Sequence, residues 1–164
     1  MTMRTPPLCL HRFVRGRFQG LAAVEFAFLL PLLVLLCFGI TEGGRAVFQY
    51  NTIAKATRDA ARYLTLVPPG QGHATARCLA LHGNRTCAGD PLVPNLGAAT
   101  VTVWDASNRS DHSDVPAVGN GTTSTGRINL VTVEIRGYPF DSLLPAFFPD
   151  VAFGPISTTM RQVL

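Results

Sequence analysis

Residues 20–40 read GLAAVEFAFLLPLLVLLCFGI, and this stretch decides how the rest of the chain is organised. From Leu21 to Ile40 the only ionisable carboxylate is Glu25. At ~1.5 Å per residue, a helix of that length covers the ~30 Å hydrocarbon core of a bilayer. A carboxylate inside such a span costs roughly 2.5 to 3.5 kcal/mol on insertion scales, so a partner or a function is expected for it. Pro31 falls mid-span, where it removes one helical hydrogen bond but is tolerated by local adjustment; a kink rather than a break is expected. Gly39 and Gly43 form a small-xxx-small pair that would let another helix approach closely.

Working outward, Arg4, Arg12, Arg15 and Arg17 precede the run, and the remainder carries ten bases against ten acids. The formal charge of +4 is thus a property of the first twenty residues, and the remainder supplies no basic face for nucleic acid. Arginines flanking an apolar span mark the cytoplasmic side. The N-terminus is therefore expected inside and everything after Ile40 outside, which in a bacterium is the periplasm. A cleaved secretory signal fits poorly, because the run exceeds the usual apolar length of about 7 to 15 residues and its exit has no Ala-x-Ala. A retained single-pass anchor is favoured.

Beyond Ile40 the helical pattern continues. Val47, Tyr50, Ala54, Thr57, Ala61 and Leu64 recur at steps of three and four and predict a buried stripe, with Lys55, Arg58, Asp59 and Arg62 on the other face. Pro68 and Pro69 end the helix, so one nearly continuous helix from about Leu21 to Val67 would be roughly 70 Å long. Val101 and Val103 alternate with polar neighbours, as do Val131, Val133 and Ile135, which predicts two half-buried strands paired antiparallel. Residues 105–126 read as a long exposed loop with a turn at Asn120 and Gly121. Leu143, Leu144, Phe147 and Phe148 fall in a proline-punctuated connection, and residues 156–162 read as a last strand. The expected fold class is α+β: a transmembrane helix continuing into an amphipathic helix that packs on a small antiparallel sheet. The expected organisation is a leader over 1–20, a span over 21–40, an amphipathic helix over 41–67 and a β-rich exported domain over 68–164.

Cys9 falls in the leader and Cys37 in the span, leaving Cys78 and Cys87 as the exported pair. A disulfide there closes a loop of about ten residues and would contribute roughly 2 to 3 kcal/mol in an oxidising compartment. His73, Cys78, His82 and Cys87 can be drawn as a zinc set, but no Cys-x-x-Cys knuckle supports it. Asp105, Ser107, Asp111 and Asp114 resemble a loose calcium loop, with Arg109 among the ligands and no closing glutamate. His112 lies beside Asp111 and Ser113 without a Gly-x-Ser-x-Gly nucleophile turn. No cofactor, metal or small-molecule substrate is expected, and no enzymatic activity.

With Gly20, Leu21, Glu25, Phe26, Pro31, Gly39, Gly44 and Arg45 in view, the chain resembles the TadE-like family, pseudopilins of the tight-adherence (Flp) pilus assembly system. The likeness is strongest over Gly20 to Leu64 and extends loosely to Tyr138 and Phe140. It implies that a prepilin peptidase cuts the Gly20–Leu21 bond, leaving Glu25 fifth and Phe26 sixth in the mature chain. Phenylalanine where the major pilins commonly have tyrosine points to the minor, assembly-linked members. Cleavage would create an α-amino cation at Leu21 that Glu25 can neutralise, within one helix or between staggered subunits. The implied function is a membrane-held minor pilin of the inner membrane, with the peptidase, other pilins and pilus assembly proteins as partners. The alternatives are an unprocessed single-pass protein with an exported binding domain, and an exported hydrolase working through His112.

Overall fold

The computed structural model of the chain describes residues 19–116, 127–145, 147 and 150–163. The arginine leader with Cys9, the turn expected at Asn120 and Gly121, and Phe148 lie outside the described residues. The chain divides into two units, Met1–Ile40 and Thr41–Leu164. Helix α1, Gln19–Leu64, contributes to both and passes Pro31 without a break in its assignment.

The apolar side chains of α1 from Leu21 to Phe38 are exposed, and the helix is long and apolar enough to cross a membrane. Water does not tolerate such a surface, so the residues that form this helix also dictate an apolar surrounding for it.

In the second unit α1 has a covered face made of Glu42, Gln49, Ile53, Ala56, Thr57, Ala60, Ala61 and Leu64. The expected stripe is right from Ala54 onward and wrong before it, because Val47 and Tyr50 are exposed while Gln49 is buried. Gln49 owes its place to a partner: its Oε1 accepts the Tyr138 hydroxyl at 3.0 Å. Periodicity of apolar residues cannot register a buried amide whose hydrogen bond is made a long way along the chain.

After Leu64 the chain turns through Pro68 and Pro69, then through Gly70 (φ 81°) and Gly72 (φ 72°). A Cβ at Gly72 would meet the Tyr63 ring at 3.1 Å, so both the left-handed backbone and the close approach favour glycine there. Helix α2, His73–His82, follows, inside the stretch from 68 onward that the sequence led one to expect as β-rich. Its ten residues are too short for a clear apolar period, and tertiary packing of Ala76 and Ala80 against the core holds it. Cys78 on α2 is joined to Cys87 in a disulfide, which removes both thiols from any zinc set.

Among the described residues, strands β1, Thr100–Trp104, β2, Val115–Pro116, β3, Arg127–Ile128, β4, Leu130–Arg136, β5, Pro139–Phe140, β6, Val151–Ala152, and β7, Ile156–Arg161, follow. They form a three-stranded sheet in the order β1-β4-β7 and two small two-stranded ladders, β2-β3 and β5-β6. The main sheet is antiparallel, with Val103 opposite Val133 and Val133 opposite Thr158. Its inner face, with Val103, Val131, Val133, Ile135 and Ile156, shares one core with Ile53, Ala60, Ala61 and Leu64 of α1. The Thr57 and Thr158 hydroxyls meet across that seam at 3.2 Å. Beyond β7, the Gln162 Nε2 donates to Val67 O at 2.5 Å and the Val163 N–H to Thr65 O at 3.0 Å, satisfying carbonyls at the end of α1. The architecture is the α+β arrangement expected.

The stretch after β1 is not simply an exposed loop. Asp105 and His112 are buried in it, and a short 3-10 turn, Ser110–His112, packs on the sheet. Asp105 accepts from Ser107 N at 2.9 Å and Ser107 Oγ at 2.5 Å through Oδ1, and from Gly70 N at 2.7 Å and His73 Nε2 at 2.6 Å through Oδ2. Both oxygens are thus committed within the fold, which leaves nothing of the calcium loop. Burial pushes this carboxyl up, and the Ser107, Gly70 and His73 donors outweigh it, holding Asp105 well below the usual carboxylate range. Its contribution to stability is therefore complete above the unfolded carboxylate value of about 4 and is lost as pH falls through the lower folded value. Asp105→Asn, which removes the charge and one acceptor, is expected to cost about 2 to 3 kcal/mol in urea unfolding at neutral pH. The same substitution should flatten acid sensitivity below about pH 4; an unchanged urea midpoint would refute the anchoring role.

Candidate functional site

Two groups of side chains carry the chemistry that a partner could read, one in each unit. The first is the start of α1. Gly20 is exposed, and a Cβ there would meet no atom within 4 Å. Leu21, Glu25 and Phe26 are exposed as well, with Glu25 one turn beyond Leu21 on the same helix. Among the described residues, Glu25 makes no hydrogen bond or ion pair. The Glu25 carboxylate and the side-chain surface at Gly20 and Leu21 are thus open to another molecule, with the Gly20–Leu21 peptide itself lying in the first turn of α1. Further along, Gly39 is half-buried and Gly43 is exposed, with open space where a Cβ would point.

The second group lies just past the apolar run and was not foreseen from the sequence. Glu42 is buried, and its Oε1 lies 2.8 Å from Arg45 Nη2, at the i,i+3 spacing that brings side chains together on a helix. The same oxygen accepts the Leu143 N–H at 3.0 Å. Arg45 also donates to the Asp141 carbonyl, and its guanidinium lies over the Phe140 ring, 4.5 Å from the centroid. Asn95 donates to the Asp141 carboxylate in turn. The Arg45 guanidinium holds Glu42 below the usual carboxylate range, and Glu42 raises Arg45. Beside this cluster the rings of Tyr138 and Phe140 pack against Phe153, with centroids 5.3 and 5.7 Å away. The i,i+3 pair was the one available signal; its long-range partners in residues 140–143 had none.

His112, the residue of the hydrolase alternative, is buried with both ring nitrogens engaged. Nδ1 lies 2.8 Å from Asp111 Oδ1, and Nε2 lies 2.8 Å from Thr132 Oγ1. Thr132 Oγ1 in turn meets Thr159 Oγ1 at 2.7 Å, so the chain of contacts ties the 3-10 turn to β4 and β7. Ser113 is turned away, donating to Ser110 O at 2.9 Å. The geometry pins a loop to a sheet and does not align a nucleophile.

Residues 20–62 match the family model described as TadE-like protein. The match begins at Gly20 and ends two residues before α1 does, so it lies wholly within that helix. No curated protein and no solved structure matches the chain. A TadE-like segment together with a helix able to cross a membrane fits a membrane protein associated with the tight-adherence pilus.

The Glu42 cluster predicts a local effect. Glu42→Ala is expected to accelerate hydrogen exchange at the Leu143 amide and to lower the unfolding midpoint of the second unit. Glu42→Gln retains an acceptor and should exchange at an intermediate rate. Unaltered Leu143 exchange in the alanine variant would show that the carboxylate does not hold this loop.

Proposed function

We propose that this protein is a minor pilin or pseudopilin of the tight-adherence pilus system, inserted with its N-terminus in the cytoplasm and its β-rich unit outside. In this reading the chain is processed after Gly20 by a prepilin peptidase. The observation that carries it is the coincidence of three things in one helix: a family match that starts at Gly20, exposed Gly20 and Leu21 residues in its first turn, and a Glu25 side chain without a partner among the described residues. A carboxylate kept in an apolar span at a cost of roughly 2.5 to 3.5 kcal/mol is supported by a compensating charge. The α-amino group released at Leu21 is such a charge, with an ordinary pKa near 8 that leaves it largely protonated at neutral pH. Its partner in a neighbouring subunit would set the axial stagger, since a desolvated pair tolerates little misplacement. The role is one of recognition and assembly rather than catalysis. The alternative is an unprocessed anchor with an exported binding domain, which keeps its first residues.

Gly20 replaced by a bulky residue should block processing, and the precursor should accumulate about 2 kDa heavier, from roughly twenty retained residues of ordinary mass. N-terminal sequencing of the wild-type mature chain should begin at Leu21; a start at Met1 or Thr2 refutes processing and favours the plain anchor.

Glu25→Gln should leave insertion and cleavage intact while reducing piliation and co-purification with other pilus components, because shape is kept and charge is lost. Full piliation by a correctly processed glutamine variant would reduce Glu25 to an interfacial residue.

A further inference from the structure

Between β5 and β6 the chain displays Leu143 and Phe147, 68 % and 65 % exposed, and Val151 in β6 is 53 % exposed. Large apolar side chains grouped on an exposed connection mark a contact surface. What they contact follows from where the connection is fastened. The Leu143 N–H is 3.0 Å from Glu42 Oε1, and Glu42 is two residues beyond Ile40, where the apolar run ends. Two residues reach at most about 7 Å, so the loop is tied close to the point at which the chain leaves hydrocarbon, whichever way the exported unit faces.

The loop is also prepared for a poorly hydrated setting. Ser142 donates its N–H to Asp150 Oδ1 at 2.9 Å, Leu144 to Ser142 Oγ at 3.2 Å, and Phe147 to Leu144 O at 3.0 Å. With Leu143 bonded to Glu42, and with Pro145 lacking a donor, each of these backbone N–H groups has its partner within the protein rather than in water. The flanking carboxylates are used as well, Asp150 by Ser142 and Asp141 by Asn95. A surface loop meant for water needs neither feature.

We infer that this loop inserts Leu143 and Phe147 into the headgroup boundary of the bilayer that α1 spans, so that the exported unit rests on lipid through a second, non-helical contact. The occupant is a lipid surface rather than a second copy of the chain, because the anchor at Glu42 fixes the loop beside the hydrocarbon boundary, where lipid surrounds every isolated chain. The inference rests on the reading of α1 as a membrane span, and its test separates the two.

The full chain, with Trp104→Phe to remove its one tryptophan, is reconstituted in phosphatidylcholine vesicles whose acyl chains carry bromine near the headgroup in one set and deep in the chain in another. Single substitutions Phe147→Trp, Leu143→Trp, Leu33→Trp and Leu66→Trp report loop, span and far end of α1. The expected result is that Phe147→Trp loses most of its emission to the shallow bromine, Leu33→Trp to the deep bromine, and Leu66→Trp to neither. Quenching at position 147 should not change when protein is diluted into more lipid. Quenching at position 33 without quenching at 147 or 143 overturns the loop inference and leaves the span standing. No quenching at position 33 overturns the span and the inference together. Emission at 147 that shifts only as protein density rises, without bromine quenching, assigns the surface to a second copy and overturns the lipid reading. Leu143→Trp supplies the loop measurement should Phe147→Trp fail to fold.

Discussion

The sheet has one apolar face, and α1 covers it together with Ala76 and Ala80 of α2. Val103, Val131, Val133, Ile135 and Ile156 would be exposed without the Ile53 to Leu64 face of α1, and the fully buried Ile53 and Leu64 each contribute about 1.5 to 3 kcal/mol by leaving water. The polar contacts of the second unit serve the same seating. Tyr138 reaches Gln49 near the membrane-proximal end of the covered face, the Thr57 and Thr158 hydroxyls meet in its middle, and Gln162 and Val163 take up carbonyls at its C-terminal end. Their number matters less than their spacing, because together they fix rotation and height of the helix against the sheet, which non-directional apolar burial alone leaves free.

These polar anchors divide by how completely they are satisfied. Asp105 uses both oxygens, and Glu42 has a guanidinium and an amide. Gln162 is the exception, since its amide nitrogen caps α1 while its Oε1 is buried without a protein partner. The orientation of that amide is nonetheless fixed, because turning it over would set its oxygen against the Val67 carbonyl.

What was legible in the sequence was whatever repeats. The apolar run, the alternation of β1 and β4, and the last strand all express a local period, and the structure has each of them. The disulfide was legible by elimination, Cys78 and Cys87 being the pair beyond the span. What was missed lacks a period. Gln49 looks polar and is buried, Val47 looks apolar and is exposed, and α2 is too short to announce itself between two glycines with left-handed backbones. The Glu42 cluster was half legible, as an i,i+3 pair, but its loop partners lie about a hundred residues away and only the closed fold brings them together.

Two carboxylates on α1 show how differently one helix treats the same group. Glu42 is held below the usual range by Arg45, accepts a loop amide, and is finished within its own chain. Glu25, seventeen residues earlier, is exposed and makes no contact among the described residues, in a stretch where no water is available to solvate it once the helix is in lipid. A group that the fold satisfies can be explained by the fold. Glu25 is not satisfied among the described residues, so its explanation lies outside the folded β-rich unit. The family match confined to residues 20–62 covers both carboxylates and stops short of the sheet. That places the shared signal in the helix that is long and apolar enough to cross a membrane, and leaves the β-rich unit outside it.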